Sequence, residues 1–283
     1  MQMIVKLRPF LGRNRNINNP IIKIAIILIC SLTILKIIPL LLEKIIETEN
    51  NSVNQLFTVF AKCILIVLII VLIKKARFIN RAFLLRNNLL STAIIAVFLF
   101  LSFKDTYNSA SELGFQISNY DHTMYFIKNM ATGFFEELLF RVLIFAYVCA
   151  IFKNVKKNSP IREVVLTSLI FAFIHFTNFF NPNYEKLGVI TQMFFAFSMG
   201  LILQSIFYRF NNIILIGFLH GLVNYNGMKK TLLFHIEKTK QISMSDVTNS
   251  LLTISLFTLF IVIPIMFICL RKRENYLINQ SST

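Results

Sequence analysis

Apolar residues recur along the chain in long runs that are separated by short polar connectors. An α-helix of about 20 apolar residues is long enough to cross a bilayer. Eight runs meet or approach that length, and they cover residues 20–42, 53–73, 87–103, 124–152, 164–180, 187–208, 213–225 and 249–270. The seventh run is short, so we expect protein rather than lipid around part of it. The pattern predicts an all-α, polytopic transmembrane helix bundle of about eight spans.

The positions of these spans divide the chain into three segments. Residues 1–123 hold the first three spans and their connectors, and Lys62 lies inside the second span. Residues 124–228 hold spans four to seven and form the predicted core. Residues 229–283 hold the eighth span and a basic tail, preceded by a stretch at 231–241 that is predicted as an amphipathic helix at the interface. The sequence contains no internal repeat.

Composition and charge agree with a membrane protein. Hydrophobic residues make up 56% of the 283 positions and charged residues 15%, whereas a soluble domain carries about 25% charged residues. The net charge is +16, but the basic residues form short clusters beside the spans, which argues against nucleic acid as a partner. These clusters lie mainly on the side of the two termini, so the positive-inside rule places both termini in the cytoplasm.

Ionisable residues inside the fourth span are the first indication of function. Charged groups are costly within a bilayer, and where they occur they usually face the interior of a bundle or a wet cavity. Glu137 and Arg141 are four residues apart, so they share a helix face and can pair. Glu136 lies about 100° around the helix from Glu137. We therefore expect the two carboxylates to have different roles.

Two histidines lie in other predicted spans. His175 ends a Phe-x-x-x-His pattern in the fifth span, where a single histidine is more often a core residue than a catalyst. In the seventh span His220 and Asn224 are four residues apart and face the same way. Gly221, beside His220, leaves room for a backbone or a substrate to approach. A patch of interhelical hydrogen bonds is the alternative explanation for this set.

Together these side chains could hydrolyse a carbonyl compound. A carboxylate can take a proton from water with the help of an imidazole, and a second imidazole with an amide can stabilise an oxyanion. Glutamate and histidine could instead hold a divalent metal with an open position for water. The helical zinc motif H-E-x-x-H and the nucleophile motif G-x-S-x-G are both absent from the sequence.

The three motifs occur in the order found in the CPBP family of intramembrane proteases, which the chain resembles. That family groups CAAX prenyl endopeptidases with bacterial Abi and lysostaphin-resistance-type proteins. Its pattern is E-E-x-x-x-R, then F-x-x-x-H, then H-x-x-x-N or H-x-x-x-D. In this sequence the pattern reads Glu136-Glu137 with Arg141, Phe171 with His175, and His220 with Asn224. The resemblance covers roughly residues 124–228.

The resemblance implies hydrolysis of a peptide bond inside the membrane. Glu136 and His175 would activate water, and His220 and Asn224 would hold the oxyanion. Glu137 and Arg141 would be a supporting pair. The implied cofactor is either none or a divalent metal such as zinc, and a metal would be bound by Glu136, His175 and His220.

The sequence therefore favours an intramembrane endopeptidase whose partners are the lipid bilayer and a membrane-associated peptide or protein substrate. Bacterial members of the family are linked to bacteriocin immunity, protein secretion and surface display, so the resemblance implies a role in bacteriocin immunity or in the processing of membrane or exported peptides. The richness in Ile, Asn and Lys suggests an AT-rich genome and hence a bacterial cell membrane. The main alternative is a non-catalytic immunity or scaffold protein that keeps the polar cluster for helix packing. A proton-coupled transporter is a third hypothesis, although no inverted repeat supports it.

Overall fold

The helical elements follow the predicted spans closely. The computed structural model describes residues 19–46, 51–76, 119–152, 160–181, 185–210, 212–227 and 244–270. The α-helices in these ranges are α1 (Pro20–Ile46), α2 (Asn51–Ala76), α3 (Asn119–Glu137), α4 (Phe145–Ile151), α5 (Ile161–Ile174), α6 (Lys186–Phe210), α7 (Ile213–Gly227) and α8 (Met244–Phe257). π-Helical turns follow α3 at Leu138–Ile144 and α8 at Thr258–Val262, and a 3₁₀ segment follows α5 at His175–Phe180.

The all-α prediction is confirmed, since the described residues form no strand. Five of their helical stretches are long and apolar enough to cross a membrane: Pro20–Leu42, Leu56–Lys74, Ile161–Phe180, Lys186–Phe210 and Met244–Leu270. The shorter apolar helix Ile213–Asn226 corresponds to the predicted seventh span. The predicted third span and the predicted helix at 231–241 lie outside the described residues, so the total of eight spans and the division into three segments stay predictions. The chain is an integral membrane protein.

Helix α2 has one buried face and several exposed apolar faces. Every fourth side chain along it is buried: Phe57, Ala61, Leu65, Ile69 and Ile73. Because a helix turns once every 3.6 residues, these positions form one stripe. Large apolar side chains on other faces of the helix stay exposed, among them Phe60, Val67 and Val71. In a spanning helix such side chains face lipid, so the buried stripe marks the side that packs against protein.

The chain folds into two compact units, which are considered separately. The first unit contains α1, α2, α3 and α7, and it is called the α3–α7 unit after two of these helices, not as a range. In it, α2 packs against α1 and α3, and α3 packs against α7. Helix α7 begins directly after Asn212, whose Oδ1 accepts a hydrogen bond from the Leu215 N–H at 3.0 Å. That bond is a side-chain N-cap, which satisfies one of the unpaired N–H groups at a helix start.

In the second, the α5–α6 unit, α6 packs against α5 and α8. Its apolar core contains Phe145, Val164, Leu201, Tyr208, Val262, Met266 and Leu270. Gly200 on α6 lies so close to Ser168 on α5 that a Cβ atom at Gly200 would be 2.8 Å from the Ser168 Cβ. Small residues at such crossings let membrane helices approach closely.

Candidate active site

Three glycines bring α3 and α7 into backbone contact in the α3–α7 unit. A Cβ atom at Gly133 on α3 would lie 2.4 Å from the Gly221 nitrogen and 2.6 Å from the Gly217 oxygen, both on α7. A Cβ at Gly221 would meet the Met130 side chain at 2.7 Å. Gly217 and Gly221 are four residues apart, as in the small-xxx-small pattern of tightly packed membrane helices. The room that Gly221 was predicted to leave is therefore taken by α3, through the side chain and the Cα atom of Met130.

Replacing Gly133 with alanine is expected to force α3 and α7 apart, because the new methyl group meets backbone atoms that cannot rotate away. Overpacking of this kind costs about 1–3 kcal/mol, which corresponds to a fall in Tm of about 3–10 °C for a chain of this size. Thermal unfolding of the purified protein in detergent measures the effect. A variant with the wild-type Tm would contradict the close contact between the two helices.

The predicted pair of Glu137 and Arg141 is present and fully buried. The Arg141 Nε donates to Glu137 Oε2 at 2.9 Å and its Nη2 donates to Oε1 at 3.3 Å, and both side chains are 0% exposed. Arg141 lies in the π-helical turn that begins directly after Glu137. π-Helical turns inside α-helices are rare and often occur at functional sites. The charge of Glu137 is thus neutralised within its own helical segment.

His220 connects α7 to both glutamates. Its Nδ1 lies 2.7 Å from Oε1 of Glu137, and its Nε2 lies 3.4 Å from Oε2 of Glu136. A carboxylate only accepts hydrogen bonds, so Nδ1 carries a proton and donates a hydrogen bond to Glu137. The bond between Glu137 and His220 joins two helices through residues 83 positions apart. Spacing along one helix revealed the partner of Arg141, but no sequence signal indicated that Glu137 also orients His220.

Glu136 differs from Glu137 in its surroundings, as the helix geometry predicted. Its side chain is 21% exposed, whereas that of Glu137 is 0% exposed. Of these two carboxylates, Glu136 is the one that the described residues leave partly uncovered. The observed arrangement therefore contains one buried carboxylate that is neutralised by arginine, one accessible carboxylate, and a histidine ring between them.

Two motif residues, Asn224 and His175, remain to be placed on the helices. Asn224 is on α7, one turn after His220, and is partly buried. His175 belongs to the α5–α6 unit, where α5 changes into the 3₁₀ segment.

Phe171 of the Phe-x-x-x-His motif holds the ring of His175. The Phe171 carbonyl lies 2.9 Å from His175 Nδ1, and the two rings meet edge to face at 4.9 Å. Because a carbonyl accepts only, Nδ1 of His175 bears the proton and a neutral ring has its lone pair at Nε2. The motif thus leaves Nε2 as the nitrogen able to accept a proton.

The side chains that commonly bind metal ions are those of His, Cys, Asp and Glu. Among the ranges described above, no group of three or more His, Cys, Asp or Glu residues is arranged to hold a metal ion. Within the α3–α7 unit, both ring nitrogens of His220 face carboxylates. The predicted set of Glu136, His175 and His220 includes residues of both compact units, and it stays a prediction.

The segment that carries these residues is similar to a known protein family. Residues 119–226 match the family model described as type II CAAX prenyl endopeptidase Rce1-like, over less than half of the chain. Neither the curated proteins nor the solved structures gave a match. The matched segment includes all three motifs. The resemblance to the CPBP family is confirmed over this segment: residues 119–226 are similar to the Rce1-like type II CAAX prenyl endopeptidases, a family of membrane proteases.

Proposed function

We propose that the protein is an intramembrane endopeptidase in which Glu136 activates water for attack on a peptide bond. The observation that carries this proposal is the difference in burial between the two carboxylates beside His220. Glu137 is buried and paired with Arg141, while Glu136 remains accessible. A general base must reach the proton that it takes, and the accessible carboxylate meets that requirement.

In the proposed reaction, Glu136 takes a proton from water and the resulting hydroxide attacks the substrate carbonyl carbon. The tetrahedral intermediate carries its negative charge on the former carbonyl oxygen. Collapse of the intermediate breaks the C–N bond, and the proton held by Glu136 passes to the leaving amine. His175 is proposed to assist the activation of water through Nε2. No step is routed through a metal ion.

His220 and Asn224 are proposed to stabilise the oxyanion. With Nδ1–H donated to Glu137, the ring can donate from Nε2 only when it is doubly protonated. Both ring nitrogens lie close to carboxylates, Nδ1 to that of Glu137 and Nε2 to that of Glu136. An imidazolium held by Glu137 and an amide one turn away would supply two preorganised donors for the oxyanion. Glu137 would therefore position His220, in addition to pairing with Arg141.

The proposed substrate is a membrane-associated peptide. The matched family is described by its action on prenylated CAAX sequences, so a peptide with a prenylated C-terminal Cys-a-a-X box is one candidate substrate. The other candidate is an unprenylated membrane peptide, such as one processed in bacteriocin immunity or during export. A bacterial cell membrane with both chain termini in the cytoplasm is part of the same proposal.

Purified full-length protein in detergent micelles tests the proposal with two internally quenched peptides, one prenylated with a Cys-a-a-X end and one an unprenylated transmembrane helix. We expect the wild type to cleave at least one of them. Replacing His175 with alanine is expected to lower the rate about a hundredfold, the usual effect of losing a proton-transfer group. The matched control is Phe173→Ala, which removes an exposed ring from the same helix and is expected to keep the wild-type rate.

Failure of the wild type to cleave either peptide, or full activity of the His175 variant, would contradict the endopeptidase proposal. The buried network also favours a second candidate, a non-catalytic scaffold, because the bond between Glu137 and His220 ties α3 to α7. The scaffold hypothesis predicts that polar-site variants lose abundance in the membrane in proportion to any loss of cellular function. Loss of function at normal abundance would contradict it.

A further inference from the structure

A lysine from the second span lies within the α3–α7 unit without belonging to any of the three motifs. Lys62 on α2 is only 8% exposed. A lysine in a span normally extends its ammonium group toward the membrane surface, yet this side chain is covered by protein. Buried ionisable groups in membrane helices are costly and usually mark a functional position.

The Lys62 ammonium group is held on the face of α3 that carries Glu136. Its Nζ donates to Thr132 Oγ1 at 2.6 Å. Thr132 donates its own hydroxyl proton to the Lys128 carbonyl at 2.7 Å, so its oxygen is left to accept from Lys62. Thr132 lies four residues before Glu136, which places the two side chains on the same helix face. The lysine is therefore anchored one turn from the proposed base.

The charges around this face show what Lys62 interacts with. The charge of Glu137 is already matched by Arg141. On the same face of α3, Lys128 lies one turn before Thr132 and Glu136 one turn after it. The Thr132 bond therefore places the Lys62 ammonium on a face that carries both a like charge and the opposite charge of Glu136.

We propose that Lys62 is a positioning residue of the active site, which acts through Glu136 by keeping its carboxylate oriented. This inference rests on the proposed role of Glu136 as the base. It extends the site to α2, outside the segment that matches the family model. Thr132 is the anchor that holds the ammonium group at the required place.

The test compares Lys62→Met with Lys62→Arg in the purified full-length protein, on whichever of the two quenched peptides the wild type cleaves faster. Methionine keeps the length of the side chain and removes its charge, so kcat is expected to fall about ten- to a hundredfold, the range usual for groups that orient a reacting residue. KM is expected to stay within about threefold, because no substrate contact is lost. Arginine restores the charge and is expected to recover most of kcat.

Two further variants separate this role from helix packing. Thr132→Val removes the anchor and is expected to lower kcat in the same direction as Lys62→Met. Lys36→Met, which removes an exposed lysine from α1, is the matched control and is expected to keep the wild-type kcat. Thermal unfolding is measured for every variant, since a purely structural role of Lys62 would lower Tm and leave kcat per folded molecule unchanged.

A wild-type kcat for Lys62→Met, or a loss of kcat that Lys62→Arg does not restore, would overturn the proposal for Lys62. If Glu136→Gln is inactive in the same experiment, the proposed function stands and only the role of Lys62 fails. If Glu136→Gln still cleaves the peptide, the role of Glu136 itself is refuted. The two failures are therefore distinguishable.

Discussion

Replacing Glu136 with glutamine is expected to lower kcat for peptide cleavage by about a hundred- to ten-thousandfold, the contribution usual for a general base. Glutamine has the same size, and its amide oxygen can still face His220 Nε2, but it cannot take a proton from water. KM is expected to stay within about threefold, because the lost interaction belongs to the chemical step. Cleavage of the quenched peptides by the purified variant measures both constants.

The matched control is Glu163→Gln, which neutralises a partly buried carboxylate on α5 outside the three motifs. It is expected to keep kcat close to that of the wild type. Both variants should show normal abundance and a normal Tm, since Glu136 is the accessible carboxylate and Glu137 the buried one. Full cleavage by Glu136→Gln at normal abundance would refute its role as the base.

Replacing Arg141 with methionine is expected to cause the largest loss of stability among these variants. It leaves the fully buried Glu137 carboxylate without the two hydrogen bonds donated by Nε and Nη2. Breaking a buried ion pair by removing one partner costs about 3–5 kcal/mol, because an uncompensated charge remains. Thermal or denaturant unfolding in detergent measures the loss, and the amount of protein in the membrane should fall with it.

The double variant Arg141→Met/Glu137→Gln tests this explanation. Glutamine removes the uncompensated charge and can still accept a hydrogen bond from His220, so most of the lost stability is expected to return. Arg162→Met, which removes an exposed arginine near the start of α5, is expected to leave Tm unchanged within about 2 °C. If the double variant is no more stable than Arg141→Met, the buried charge is not the cause.

The spacing of residues along single helices was sufficient to predict part of the site. The interval of four residues between Glu137 and Arg141 predicted their pairing, and the 100° step from Glu137 predicted a different environment for Glu136. Both predictions depended only on the pitch of an α-helix, which is the same in every fold. The motif Phe-x-x-x-His likewise places Phe171 one turn before His175, where its carbonyl and ring hold the imidazole.

Contacts between helices could not be predicted in the same way. Gly221 was predicted to leave room for an approaching group, but the sequence could not tell whether that group would be substrate or backbone. The structure places Gly133 of α3 against it. Lys62 was evident as an unusual charge in the second span, yet its bond to Thr132 joins residues 70 positions apart. Such pairs depend on which helices become neighbours.

The sequence by itself determined that the protein is a helical membrane protein, where the five long apolar helices of the described residues lie, and which polar side chains share a helix face. Those properties follow from hydrophobic length and helix pitch, which act locally along the chain. Only the tertiary structure decided that Glu137, the partner of Arg141, also contacts His220, and that Lys62 lies on the face of Glu136. Those contacts arise because glycines let α3 and α7 touch and because α2 packs on α3. The different directions of Glu136 and Glu137 therefore follow from helix pitch, and the separate roles proposed for them depend on the neighbouring helices.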